Sequence, residues 1–108
     1  MRKIAKIMLD KERELKMCSR TFPIIEKELK CSMEKINFEQ QESMYAMLLG
    51  LLIHNNRKMT LDKVYDIVDI AIDKEMEEND KTFMEAFETV LARISEALNE
   101  VMGEDTPK

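Results

Sequence analysis

At 108 residues the chain can form one hydrophobic core but not two, and 44% hydrophobic with 36% charged residues lets it fill that core and still coat its outside, which excludes wholesale disorder. Two glycines and two prolines are too few for an all-β plan with a tight turn at every strand end. Seventeen Lys and Arg against twenty-two Asp and Glu give a net charge of -5, the wrong sign for a protein that binds by neutralising phosphates, and no apolar run approaches the roughly 18 residues that mark a membrane span.

These bounds predict a mainly α fold. It has about four helices in a small orthogonal or bundle-like domain over residues 1–103, a short N-terminal β-hairpin over about residues 3–17, and a flexible tail at 104–108. Lys6 interrupts the apolar stretch that a signal peptide would need, so the expected location is the cytoplasm. Its reducing conditions make Cys18 and Cys31 ordinary thiols, and two thiols with a single His give no zinc ligand set. The ten methionines are flexible core fillers, with some free to serve an adaptable binding surface.

Two periods compete in the first segment. Ala5, Ile7 and Leu9 alternate as in a strand, whereas Ile4, Ile7 and Met8 fit a helical face. The charged turn Asp10-Lys11-Glu12-Arg13, followed by the alternating run Leu15-Lys16-Met17, suits a hairpin. Ser19 or Thr21 can cap a helix that carries Pro23 in its first turn and runs to about Lys30, with Phe22, Ile25 and Leu29 on its inner stripe. A break follows at Cys31-Ser32.

From about Asn37 a second helix carries Met44, Tyr45, Met47, Leu48, Leu49, Leu51, Leu52 and Ile53, apolar in almost every direction, which places it at the centre of the fold. Ser43, Ala46 and Gly50 fill the remaining gap and allow another backbone to approach. His54-Asn55-Asn56 ends the helix, Asn tolerating the left-handed conformation. Thr60 caps a third helix with Asp62 in its first turn and Leu61, Val64, Tyr65, Val68, Ala71 and Ile72 on its inner face. Glu77-Glu78-Asn79-Asp80 reads as a linker. A fourth helix, from about Lys81 to Met102 and about 33 Å long, repeats Phe83, Phe87, Val90, Ile94, Ala97 and Val101, widened by Met84, Leu91 and Leu98. Gly103 closes it.

Chemistry is hard to assemble from these parts. Asp62, Asp66, Asp69 and Asp73 share one helix face, but a straight helix presents carboxylates along a line rather than around an ion, so no metal is assigned. His54 suits the negative end of a helix dipole and has no nucleophile motif near it. Two glycines cannot build a phosphate-cradling loop. The expectation is therefore no catalytic residue, no cofactor and no enzyme activity. Thr60-Leu61-Asp62-Lys63-Val64 resembles half of a helix-turn-helix, against which stand the four aspartates of the same helix. The remaining candidates are Met44, Met47, Leu51, Phe83, Met84 and Phe87, which belong either to the core or to an open apolar surface for a partner helix.

Three stretches carry a resemblance to the small phage tail assembly chaperones of siphophage and prophage tail modules. They are Ile7-Met8-Leu9-Asp10-Lys11-Glu12-Arg13-Glu14-Leu15-Lys16 entering the helix Thr21 to Leu29; Leu48-Leu49-Gly50-Leu51-Leu52-Ile53-His54; and Met59-Thr60-Leu61-Asp62-Lys63-Val64-Tyr65-Asp66-Ile67-Val68-Asp69. The pattern departs from that family at Asn55-Asn56-Arg57-Lys58, where an acidic residue and Pro are more usual, and at Cys31-Ser32, where Gly is commoner. The resemblance implies a non-catalytic factor, without cofactor, that coats the tape measure protein and helps recruit tail tube subunits in the host cytoplasm. It also supports the hairpin, and the end from Gly103 to Lys108 suits the translational frameshift junction found in many relatives. Neither nucleic acid nor membrane is an expected partner, and a homo-oligomer stays open. The alternative is a small helix-turn-helix-like DNA-binding regulator from a mobile element.

Overall fold

A computed structural model describes residues 3–37 and 39–103. Strands β1 (Ile4–Met8) and β2 (Glu12–Lys16) precede helices α1 (Thr21–Leu29), α2 (Gln41–Leu52), α3 (Leu61–Asn79) and α4 (Phe83–Met102), with a single 3₁₀ turn at Met33–Lys35. The fold is mainly α, as predicted.

The strand period wins at the N-terminus. β1 and β2 pair antiparallel from Ile4↔Lys16 to Met8↔Glu12. Ala5, Ile7 and Leu15 face inward, while Ile4, Lys6 and Met8 stay exposed. The turn needs no Gly because Asp10 closes it: its carboxylate accepts from the Lys11 amide at 2.9 Å and from Arg13 Nε and Nη2 at 2.9 and 2.7 Å. A two-stranded hairpin is marginal alone. Here its inner face packs against α2 and α4, and two cations clamp its tip. Arg93 Nη1 donates to the Met8 carbonyl at 2.9 Å, and Lys74 Nζ to the Asp10 carbonyl at 2.6 Å.

Thr21 does not cap α1; Arg20 occupies that position without a side-chain bond. The Thr21 hydroxyl accepts from the Cys18 amide and donates to the Gly50 carbonyl, both at 2.9 Å. This buried bond is available because α1 and α2 touch backbone to backbone. A Cβ on Gly50 would lie 2.9 Å from the Thr21 carbonyl oxygen, which gives the close-packing role predicted for this Gly a measured distance. The inner stripe of α1 accordingly starts at Thr21 and Ile25, and Phe22, one residue off that line, is 41% exposed rather than inward.

α2 begins at Gln41, four residues later than predicted, and every residue from Ser43 to Leu52 is buried. It ends without a left-handed residue, Ile53 keeping helical angles. Among the described residues the left-handed positions outside glycine are Lys30 and Asp80; α2 ends just before His54-Asn55-Asn56 and Gly103 caps α4 as expected, its amide donating to the Asn99 carbonyl, but Gly103 does so with a right-handed φ of -64°. Thr60 caps α3, its hydroxyl accepting from the Lys63 amide at 3.3 Å. The supposed linker Glu77-Glu78-Asn79 is the last turn of α3, and only Asp80, Lys81 and Thr82 separate the two long helices. Tyr65, placed inward by its period, is half-exposed, with its ring in edge contact with Tyr45 at 4.8 Å. Among the described residues no helix is long and apolar enough to cross a membrane.

Candidate partner-binding surface

The six apolar candidates do not share one surface. Met44, Met47 and Leu51 are core residues, because the hairpin, α1, α3 and α4 together enclose α2 on all sides. The chain does hide its central helix, and these three are not accessible to a partner. Phe83 and Met84 are 52% and 59% exposed. Phe87 is half-buried and stacks on Phe83, with ring centroids 5.8 Å apart and planes 11° from parallel.

This exposure has a local cause. The buried stripe of α4 runs through Ala86, Val90, Ile94, Ala97, Leu98 and Val101, so the first turn of the helix projects ahead of the packing. That turn is held by a capping box: Thr82 Oγ1 accepts from the Glu85 amide at 3.3 Å, and Glu85 Oε1 accepts from the Thr82 amide at 3.0 Å. The bond from the Thr82 amide, with its hydroxyl, holds the Glu85 carboxyl below its usual pKa. Phe83 and Met84 therefore sit on a fixed scaffold rather than a frayed end.

Behind this turn lies a buried carboxylate. Glu75 Oε1 accepts from Arg93 Nη2 at 2.8 Å, Oε2 accepts from Asn79 Nδ2, and Lys81 Nζ stands 3.6 Å away. Burial pushes this carboxyl up, but the bonds from Asn79 and Arg93 and the charges of Lys81 and Arg93 outweigh it, and the group is held below its usual pKa. Lys81 also donates to Thr89 Oγ1 at 3.0 Å, and the second arm of Arg93 reaches the hairpin. Lys74, Lys81 and Arg93 are thus all spent on internal contacts, whereas every other carboxylate from Asp73 to Glu100 is exposed. Lys81 still acts on Glu85 through its charge, and the apolar start of α4 stands among exposed acidic side chains.

The opposite charge collects elsewhere. Residues 1–63 hold thirteen Lys and Arg against nine Asp and Glu, while residues 64–108 hold four against thirteen. A groove of about 430 Å³ lies between the hairpin and the loop after α2, lined by Lys6, Lys11, Arg13, Glu12, Glu14, Leu52, Asn55, Asn56 and Met59. A shallower one of about 200 Å³ continues past Met59 to Lys63 and Ile70. Beside the groove, His54 Nδ1 donates to the Leu51 carbonyl at 2.8 Å, and Nε2 is buried 3.5 Å from Glu14 Oε1. Asp62, Asp66, Asp69 and Asp73 are all exposed on α3, and no three metal-ligating side chains converge among the described residues.

Sequence reasoning missed the groove and the Glu75 network. Glu75 lies four residues after Ala71 and three after Ile72, so an acid on the apolar stripe was the available signal. Thr82 and Glu85 stood at capping-box spacing. No family model, curated protein or solved structure matches this chain.

Proposed function

We propose that this chain is a non-catalytic assembly chaperone of the phage tail kind, which holds the tape measure protein through the exposed start of α4 and helps recruit tail tube subunits. The observation that carries this reading is the Phe83–Met84 pair, exposed on a capped helix end among exposed carboxylates. Burying an apolar side chain of this size contributes about 1.5–3 kcal/mol, so two of them supply a useful but reversible hold. Thioether and stacked aromatic rings adapt to apolar stripes of slightly different shape, and the surrounding charge favours stripes flanked by Lys or Arg. A long helical protein awaiting assembly offers such stripes and aggregates when they stay bare.

The exposed aspartates of α3 speak against the DNA-binding alternative, since the Thr60-capped helix would carry four negative charges towards phosphates. Co-expression with the tape measure protein of the same tail module tests the proposal. The long protein should be recovered in the supernatant only with the parent chain, and recovery should fall with Phe83→Ser plus Met84→Ser. Equal recovery with and without the chain would sink the reading.

A further inference from the structure

We infer that β2 accepts an extended, uncharged segment of a partner protein as a third strand, laid in the groove between the hairpin and the loop after α2 and recognised by its backbone. The ladder fixes which backbone groups are free. The Leu9 amide donates to the Lys11 carbonyl at 3.0 Å, and antiparallel pairs alternate between bonded and non-bonded, so Ile7↔Arg13 and Ala5↔Leu15 exchange bonds while Met8↔Glu12, Lys6↔Glu14 and Ile4↔Lys16 do not. The Met8 carbonyl gives the same phase from the other edge, pointing away from β2 to Arg93 Nη1 at 2.9 Å. The amides and carbonyls of Glu12, Glu14 and Lys16 therefore point outward from β2 at every second position over about 13 Å, with no partner among the described residues.

The two edges of the hairpin differ in their surroundings. β1 lies against α4, whereas β2 packs on α2, and Glu12, Arg13 and Glu14 wall the groove of about 430 Å³. Leu52 and Met59 floor it. Asn55, on the far wall, has a carboxamide that bonds nothing among the described residues and is free to meet the outer edge of an added strand. The charges around the groove cancel: Lys6 stands opposite Glu14 across the ladder, Lys11 adjoins Glu12, and Arg13 is bound to Asp10. Neither a polyanion nor a polycation gains from such a lining, whereas a row of free N–H and C=O groups at strand spacing is what another extended chain satisfies. A third strand also supplies what a two-stranded hairpin lacks for stability of its own. The 19 residues of α3 hold Met59 about 28 Å from Phe83, so this segment is separate from whatever the start of α4 holds, and the inference goes beyond the proposed chaperone role.

Amide exchange of the full chain, read by NMR, tests this with a capped, uncharged pentapeptide of alternating threonine and valine. At about 5 mM peptide, exchange at Glu12, Glu14 and Lys16 should slow about threefold or more, since a few backbone bonds give only millimolar affinity. The same peptide N-methylated on its threonines loses the donors of one edge, and N-methylated on its valines those of the other. One of these forms should bind about tenfold more weakly or worse, and the other within about threefold of the parent peptide. Glu12→Pro removes an outward amide and no ladder bond, and it should weaken binding of the parent peptide with the helical circular dichroism unchanged. Should that variant misfold, the methylated peptides decide, because they leave the protein intact. The inference is overturned if the parent peptide does not bind, if both methylated forms bind as it does, if the three amides are already protected by pairing with a second copy, or if only charged peptides or duplex DNA bind. None of these outcomes touches the chaperone reading, which rests on Phe83 and Met84.

Discussion

Replacing Gly50 with Ala probes the backbone contact that sets α1 against α2. In an exposed helix this change gains about 1 kcal/mol of helix propensity. Here the added methyl would sit 2.9 Å from the Thr21 carbonyl oxygen and 3.0 Å from Ile25 Cγ1, against 3.4–4 Å for ordinary contact. One neighbour is backbone, so α1 has to move as a unit, and overpacking of this kind costs about 1–3 kcal/mol. The same movement stretches the buried bond from the Thr21 hydroxyl to the Gly50 carbonyl, whose loss with unsatisfied partners costs a further 1–3 kcal/mol or so. The propensity gain is outweighed, and a net loss of about 1–5 kcal/mol is expected. Urea unfolding followed by circular dichroism should show a lower midpoint with an unchanged slope, and the thermal midpoint should drop by about 4–8 °C per kcal/mol. In a Thr21→Val background Gly50→Ala should cost about 1 kcal/mol less, because the bond it breaks is already gone. A Gly50→Ala protein as stable as its parent, or more so, would refute the close approach.

Arg93→Ala should destabilise the fold by about 2 kcal/mol, leaving Glu75 buried without its strongest partner and freeing the Met8 carbonyl; Glu75→Gln should cost less, since it removes the charge together with the need for one. Acid unfolding has a definite sign. Glu75 and Asp10 are both held below their ordinary values of 4.5 and 3.8, Asp10 by its bond to Arg13, so the unfolded chain takes up protons first. Their stabilisation is fully present above those values and is lost as pH falls through the lower folded ones, and the slope of urea midpoint against pH in this window should be shallower in Glu75→Gln. Phe83→Ser with Met84→Ser should cost no more than about 1.5 kcal/mol, as measured by urea unfolding, because both side chains are more than half exposed and what is lost is chiefly the stacking of Phe83 on Phe87.

Elements with a strong local signal were legible in the sequence. The all-round apolar character of α2, the gap filled by Gly50, and the Thr60 cap each depend on residues close in the chain, and each is found where its pattern put it. The hairpin was ambiguous because its turn lacks Gly, and Asp10 supplies the closure through Arg13, an ion pair that periodicity does not register. Helix ends were less legible. α2 and α4 stop where Asn55, Asn56 and Gly103 mark them, yet the positive φ angles among the described non-glycine residues fall at Lys30 and Asp80, which propensity does not single out. The candidate surface was half legible: the sequence marked apolar residues correctly but had no means of separating Met44, Met47 and Leu51, surrounded on every side, from Phe83 and Met84 beyond the edge of the packing.

That edge is set by helix length rather than by pattern. α4 has 20 residues and α2 has 12, so at about 1.5 Å per residue α4 outruns the helix at the centre of the core by about 12 Å. Its apolar stripe is continuous in sequence, yet its first residues, Phe83 and Met84, stay more than half exposed. A chain that needed only to fold could have placed Lys or Glu there. Instead this end carries Phe83 and Met84 and is fixed by a capping box, while Lys81 and Arg93 pair with Glu75 behind it. Phe83→Lys separates the two demands. It should leave urea unfolding within about 1.5 kcal/mol of the parent, the worth of the stacking on Phe87, and it should weaken whatever occupies this end of α4. A large loss of stability in that variant would mean that Phe83 serves the core, and the exposed end would then need no occupant.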